Sequence, residues 1–293
     1  IYAIGEAILY QCNEIYIMIF RKYFPDFLKA NAADSLLLCS LIVYKIFGLL
    51  FMFLLTKFIK KITIKKRSYG CKKYFANLFI NNGLLIVGSF IGYIIQFSNF
   101  NKNTQKNEEN TLKNESKNDS NIFFEFFVIC LAGPIAEEFI FRKFLIDRLA
   151  IYSKTLAIFS SGIIFGISHK NLLQLFGAML SGWALAYSYA ETGNILIPIS
   201  YHIFENSITT INKSIIPEDF NNNQIRAKIG FVIIVLRLIA FLIGIILLII
   251  YRRKIKVTGE ENKSSDKWKF FKSYGMWIFV LEGFLLFVIF YML

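Results

Sequence analysis

Glu137 and Glu138 stand side by side within an apolar stretch running from Phe123 to Leu149. An ionised side chain at the centre of a bilayer costs at least ~2.5–3.5 kcal/mol on insertion scales, so such groups are paired or put to use. Arg142 follows Glu138 by four residues, a spacing that places both side chains on one helical face and makes them an ion pair. Glu137 is turned about 100° round the helix, and no neighbour in sequence neutralises it. A carboxylate held in that setting can serve as a general base. The only two histidines of the chain, His169 and His202, also fall in hydrophobic segments, and Asn206 lies four residues beyond His202. Acid, base and metal-binding chemistry is thus confined to three apolar segments.

The elements that carry these groups belong to a membrane protein. Of 293 residues 56% are hydrophobic, 32 of them Phe, against about 45–50% apolar residues in soluble domains. The net charge of +13 does not point to nucleic acid, because the lysines cluster in short loops beside apolar segments, as cytoplasmic loops of membrane proteins do. Cys12, Cys39, Cys71 and Cys130 show no paired spacing, so neither a disulfide framework nor a zinc ribbon is expected. Ile1–Phe20 lacks a basic leading region and a small-residue cleavage site, and no signal peptide is expected there.

The hydropathy pattern predicts an all-α fold, a single polytopic bundle over residues 1–293. About eight transmembrane helices are expected, near 36–58, 75–97, 122–149, 155–168, 172–190, 194–211, 229–251 and 273–292. Ile1, Ile4, Ile8, Cys12, Ile15 and Ile19 recur at helical spacing, which suggests an interfacial amphipathic helix within residues 1–30, with a ninth span as the alternative. The polar, Asn-rich stretch 98–121 reads as a disordered connector. Its Asn114 and Asn118 sequons matter only in a eukaryotic source. Residues 122–211 form the expected catalytic core, and 229–293 the C-terminal helices.

Basic residues set the orientation. Residues 57–73 hold Lys57, Lys60, Lys61, Lys65, Lys66, Arg67, Lys72 and Lys73 with no acid. The basic loops 59–73, 142–154 and 251–272 are therefore all expected on the cytoplasmic side, which the alternation of spans permits. The membrane expected is the bacterial plasma membrane, or the endoplasmic reticulum for a eukaryotic chain.

Gly133-Pro134 is expected to interrupt a helix, with Pro134 opening a new segment and the two glutamates near its free N–H groups. At ~1.5 Å per residue, Glu137, His169 and His202 lie roughly 16, 21 and 12 Å from the cytoplasmic ends of their helices, near the middle of a ~30 Å core. They can meet. Glu191 and Glu205 are expected to be a loop-end and a helix-face residue.

At these residues the sequence resembles the CPBP intramembrane proteases, also called the ABI or CAAX-protease-like family, which includes the type II CAAX prenyl endopeptidases. The family's Glu-Glu-x-x-x-Arg motif stands as Glu137 to Arg142, its Phe-x-x-x-His motif as Phe165 to His169, and its His-x-x-x-Asn/Asp motif as His202 to Asn206. The linking stretch Gly177–Pro198 also looks like the family. The resemblance covers about residues 130–207. Lys143 departs from it, since many members have Gly after the Arg.

The resemblance implies peptide-bond hydrolysis in the membrane with no covalent intermediate. Glu137 would activate a water, His169 would share that water or assist proton transfer, and His202 and Asn206 would stabilise the oxyanion. Glu138, Arg142 and Phe165 would orient this set. No cofactor is expected. The minority alternative is a zinc metalloprotease with Glu137, His169 and His202 as ligands, although His-Glu-x-x-His is absent. A proton-coupled transporter or a non-catalytic scaffold are alternatives of another class. The implied partners are the lipid bilayer and a peptide or membrane-protein substrate, with a prenylated C-terminal C-a-a-X peptide as one candidate, and no nucleic acid.

Overall fold

The computed structural model describes residues 22, 46, 49–50, 53–54, 57–99, 122–169, 171–215 and 224–252. Among these the chain is helical, without a strand. In order come α1 (Cys71–Asn99), a composite helix from Ile122 to Leu149, α5 (Lys154–Ser168), α6 (Leu172–Thr192), α7 (Leu196–Ile215) and α8 (Gln224–Tyr251). Six of the predicted segments are helices. The predicted helix 273–292, the N-terminal amphipathic helix, the connector and nearly all of 36–58 lie outside the described residues.

Two helices among the described residues are long and apolar enough to cross a bilayer, in Cys71–Phe97 and Lys228–Tyr251. The count of eight spans is therefore not established. The apolar segment Lys154–Ser168 is shorter, and the composite helix carries Glu137, Glu138 and Arg142. α8 turns Leu238, Leu242, Ile246 and Ile249 outward. In water that surface would be an aggregation hazard; against lipid tails it costs nothing.

Lipid supplies no hydrophobic drive between helices, so close van der Waals fit holds the bundle. α1 packs along α6 and α8, and α5 along α6. Gly88 of α1 lies so near the Phe176 carbonyl of α6 that a Cβ there would collide with the backbone. α6 ends at Gly193, whose φ of 61° is left-handed and whose N–H donates to the Tyr189 carbonyl at 2.8 Å. A Cβ at Gly193 would stand 2.5 Å from the Ile64 carbonyl oxygen, so this glycine both turns the chain and admits the loop 57–70.

That loop is packed into the bundle. Ile62 N–H donates to the Asp147 carbonyl at 2.8 Å and Arg67 N–H to that of Thr192 at 2.9 Å. Ile64 is buried with Ile146, Leu149, Ala157 and Tyr189. Lys143, the departure from the family pattern, pairs with Asp147 at 2.9 Å and donates to the Tyr189 hydroxyl at 3.1 Å.

Candidate active site

The composite helix corrects one expectation. It alternates α2 (Ile122–Phe126), a π turn (Phe127–Ala132), α3 (Gly133–Glu138), a second π turn (Phe139–Phe144) and α4 (Leu145–Leu149). Pro134 stands in the first turn of α3, yet Ala132 and Gly133 keep right-handed helical angles and the Gly133 N–H donates to the Val128 carbonyl, five residues back. The wider π turn accommodates the imide, and the helix never breaks. Glu137 and Glu138 thus sit within a continuous helix and have no exposed helix N-terminus beside them.

Glu138 and Arg142 are fully buried and paired, Oε2 to Nε at 2.9 Å. Arg142 also donates through Nη1 to Ser161 Oγ at 3.3 Å, and the Ser161 hydroxyl donates to the Phe141 carbonyl at 2.8 Å. The second oxygen of Glu138 reaches another helix: its Oε1 is 2.9 Å from Nδ1 of His202. Glu138 therefore clamps a cation on one side and an imidazole on the other. Sequence spacing revealed the first contact and could not show the second.

His202 Nε2 lies 3.7 Å from Oε2 of Glu137, whose side chain is 19% exposed. That is too long for a direct hydrogen bond and a distance that one water can bridge. Phe165 arranges the surroundings. Its ring meets His169 edge-on at 4.8 Å and His202 at 5.6 Å, and lies 4.7 Å from the Arg142 guanidinium carbon. His169 is fixed through Nδ1 to the Phe165 carbonyl at 2.9 Å. Asn206 donates one amide proton to the Ile129 carbonyl at 2.9 Å, exposed when the π turn displaces the regular ladder.

Glu137, His169, His202 and Asn206 all line one cavity of about 710 Å³. Two helices and a helix C-cap bring them there. The same wall holds two residues whose roles were missed. Glu205, expected on an open helix face, is only 4% exposed; it accepts from Asn82 Nδ2 at 3.0 Å and lies 3.9 Å from Arg237. Arg237 donates to Thr209 Oγ1 at 3.3 Å. It is the only charged residue between Lys228 and Tyr251, and that isolation within an apolar run was the available signal. Glu191 is likewise buried at 8%.

Among the described residues, no group of three or more His, Cys, Asp or Glu side chains could hold a metal ion. One nitrogen of His202 is taken by Glu138.

These features define a helical membrane protein with a cavity of about 710 Å³ into which a cluster of charged and polar side chains projects. Residues 119–208 match the family model of the Rce1-like type II CAAX prenyl endopeptidases. Over 87 residues the chain is 39% identical to the Bacillus subtilis (strain 168) protein named "Putative membrane peptidase YdiL", covering 29% of this chain and 35% of that one. Over this segment the chain is similar to the CPBP, or CAAX-protease-like, family. It spans about a third of that relative's length. No solved structure matches it.

Proposed function

We propose that the chain is an intramembrane endopeptidase that hydrolyses a peptide bond with a glutamate-activated water. The observation that carries this is the placing of Glu137 Oε2 and His202 Nε2 3.7 Å apart on the wall of the cavity. Glu137 takes a proton from the water as its oxygen bonds to the scissile carbonyl carbon, and returns that proton to the departing amine.

Asn206 has a second amide proton, beyond the one given to Ile129, to offer the oxyanion. His202, bonded through Nδ1 to Glu138, offers Nε2–H only as an imidazolium. His169 shares the water or relays its proton. Glu138, Arg142 and Phe165 hold the imidazole of His202 in place, and the reaction is written without a cofactor.

The substrate is a peptide or membrane protein; a prenylated C-a-a-X peptide is the variant the family description suggests. The test compares wild type with Glu137→Gln on such a peptide and on the peptides of expressing cells. Products absent from the variant are expected. Identical product profiles overturn the reading.

A further inference from the structure

The two ends of the bundle differ in charge, and the cavity lies toward one of them. The loop 57–70 hydrogen-bonds to Asp147 near the close of the composite helix and to Thr192 at the close of α6. Near the same end, Leu248 of α8 shares a small apolar cavity with Asn77, Thr155 and Tyr187. The basic run Lys57–Lys73, Arg148, Lys154 and Arg252 therefore collect at one end of the bundle.

His169, the C-cap of α5, and Gln174, exposed in the first turn of α6, stand at the other end, and both line the active-site cavity. From Gln174 to Thr192 along α6 is eighteen residues, ~27 Å at 1.5 Å each, close to the ~30 Å hydrocarbon core. In and beside the chain crossings at this far end, Lys102, Lys106, Lys113 and Lys117 are offset by Glu108, Glu109, Glu115 and Asp119, and Lys213, Arg226 and Lys228 by Glu218 and Asp219, which leaves a net charge of only +1. Lys and Arg thus favour the first end, which marks it as cytoplasmic.

We propose that the active-site cavity opens at the extracytoplasmic face, through the mouth beside Gln174. Taken with the peptidase reading, on which this part rests, the substrate is then an exported peptide or the outward juxtamembrane segment of a membrane protein. A cytosolic C-a-a-X tail would be on the wrong side.

The test is thiol accessibility in spheroplasts of a bacterial host, with Cys12 and Cys39 replaced by Ser. Cys71, exposed at the basic end, is one probe; Gln174→Cys in a Cys71→Ser background is the other. A membrane-impermeant maleimide should label Gln174→Cys in intact spheroplasts and Cys71 only after permeabilisation. Labelling of Gln174→Cys only after permeabilisation, labelling of Cys71 in intact spheroplasts, or no labelling of Gln174→Cys at all overturns the proposal. Labelling needs no turnover, so a chain that labels as expected but shows no Glu137-dependent products fails as a peptidase and not in its orientation.

Discussion

His202 is hydrogen-bonded to Glu138, Nδ1 to Oε1 at 2.9 Å, and both are buried. The carboxylate that sequence spacing assigned to Arg142 is thus shared between an arginine and a histidine carried by different helices. Its task is positional: it fixes which nitrogen of His202 faces Glu137.

Glu138→Ala strands the guanidinium of Arg142 in an apolar interior, and an uncompensated buried charge costs about 3–5 kcal/mol. The double variant Glu138→Leu with Arg142→Met removes both charges and should regain most of that stability in a thermal unfolding series. Turnover should stay lost in both, because His202 is unanchored in each. A double variant with wild-type turnover would show that the pair does not serve the chemistry.

Asn206→Ala removes the donor proposed for the oxyanion, and losses of that kind lower kcat by ~10²–10³-fold with little change in KM. Asn206→Asp keeps the shape but replaces the donor with an acceptor, and should be no better. A rise in KM at constant kcat would instead make Asn206 a substrate-binding group.

Hydrolysis should survive dialysis against a strong zinc chelator in the reconstituted protein. Loss of activity on chelation, recovered with zinc, would replace the glutamate mechanism with the metal one and recast Glu137, His169 and His202 as ligands.

Gly193→Val forces a branched side chain into left-handed backbone and against the Ile64 and Lys65 carbonyls, 2.5 and 2.8 Å from the new Cβ. The backbone strain alone is ~1–2 kcal/mol, and unfolding should be easier by at least that much. Unchanged unfolding would mean that the loop 57–70 is not held against α6.

Much of the site could be read from the chain because it rests on helical periodicity. The Glu138–Arg142 pair follows from four-residue spacing, and His202 and Asn206 share a face for the same reason. What stayed hidden depends on contacts between helices or on hydrogen-bond shifts within one. The Glu138–His202 bond spans 64 residues. The Ser161 contact with Arg142 joins two helices whose registers no spacing rule fixes. Gly133-Pro134 predicts a helix break because an imide removes a donor, but the π turn over Phe127–Ala132 keeps the helix continuous. Glu205 looked like an ordinary helix-face residue until Asn82 and Arg237 proved to stand opposite it.

The most direct test of the account is the single-turnover hydrolysis rate of purified, membrane-reconstituted protein, wild type against Glu137→Gln, on any peptide the wild type cleaves. Glutamine keeps the shape and removes the base, and the rate should fall by ~10²–10⁴-fold, with unfolding unchanged. Equal rates in two equally folded proteins would contradict the assignment of Glu137 as the base.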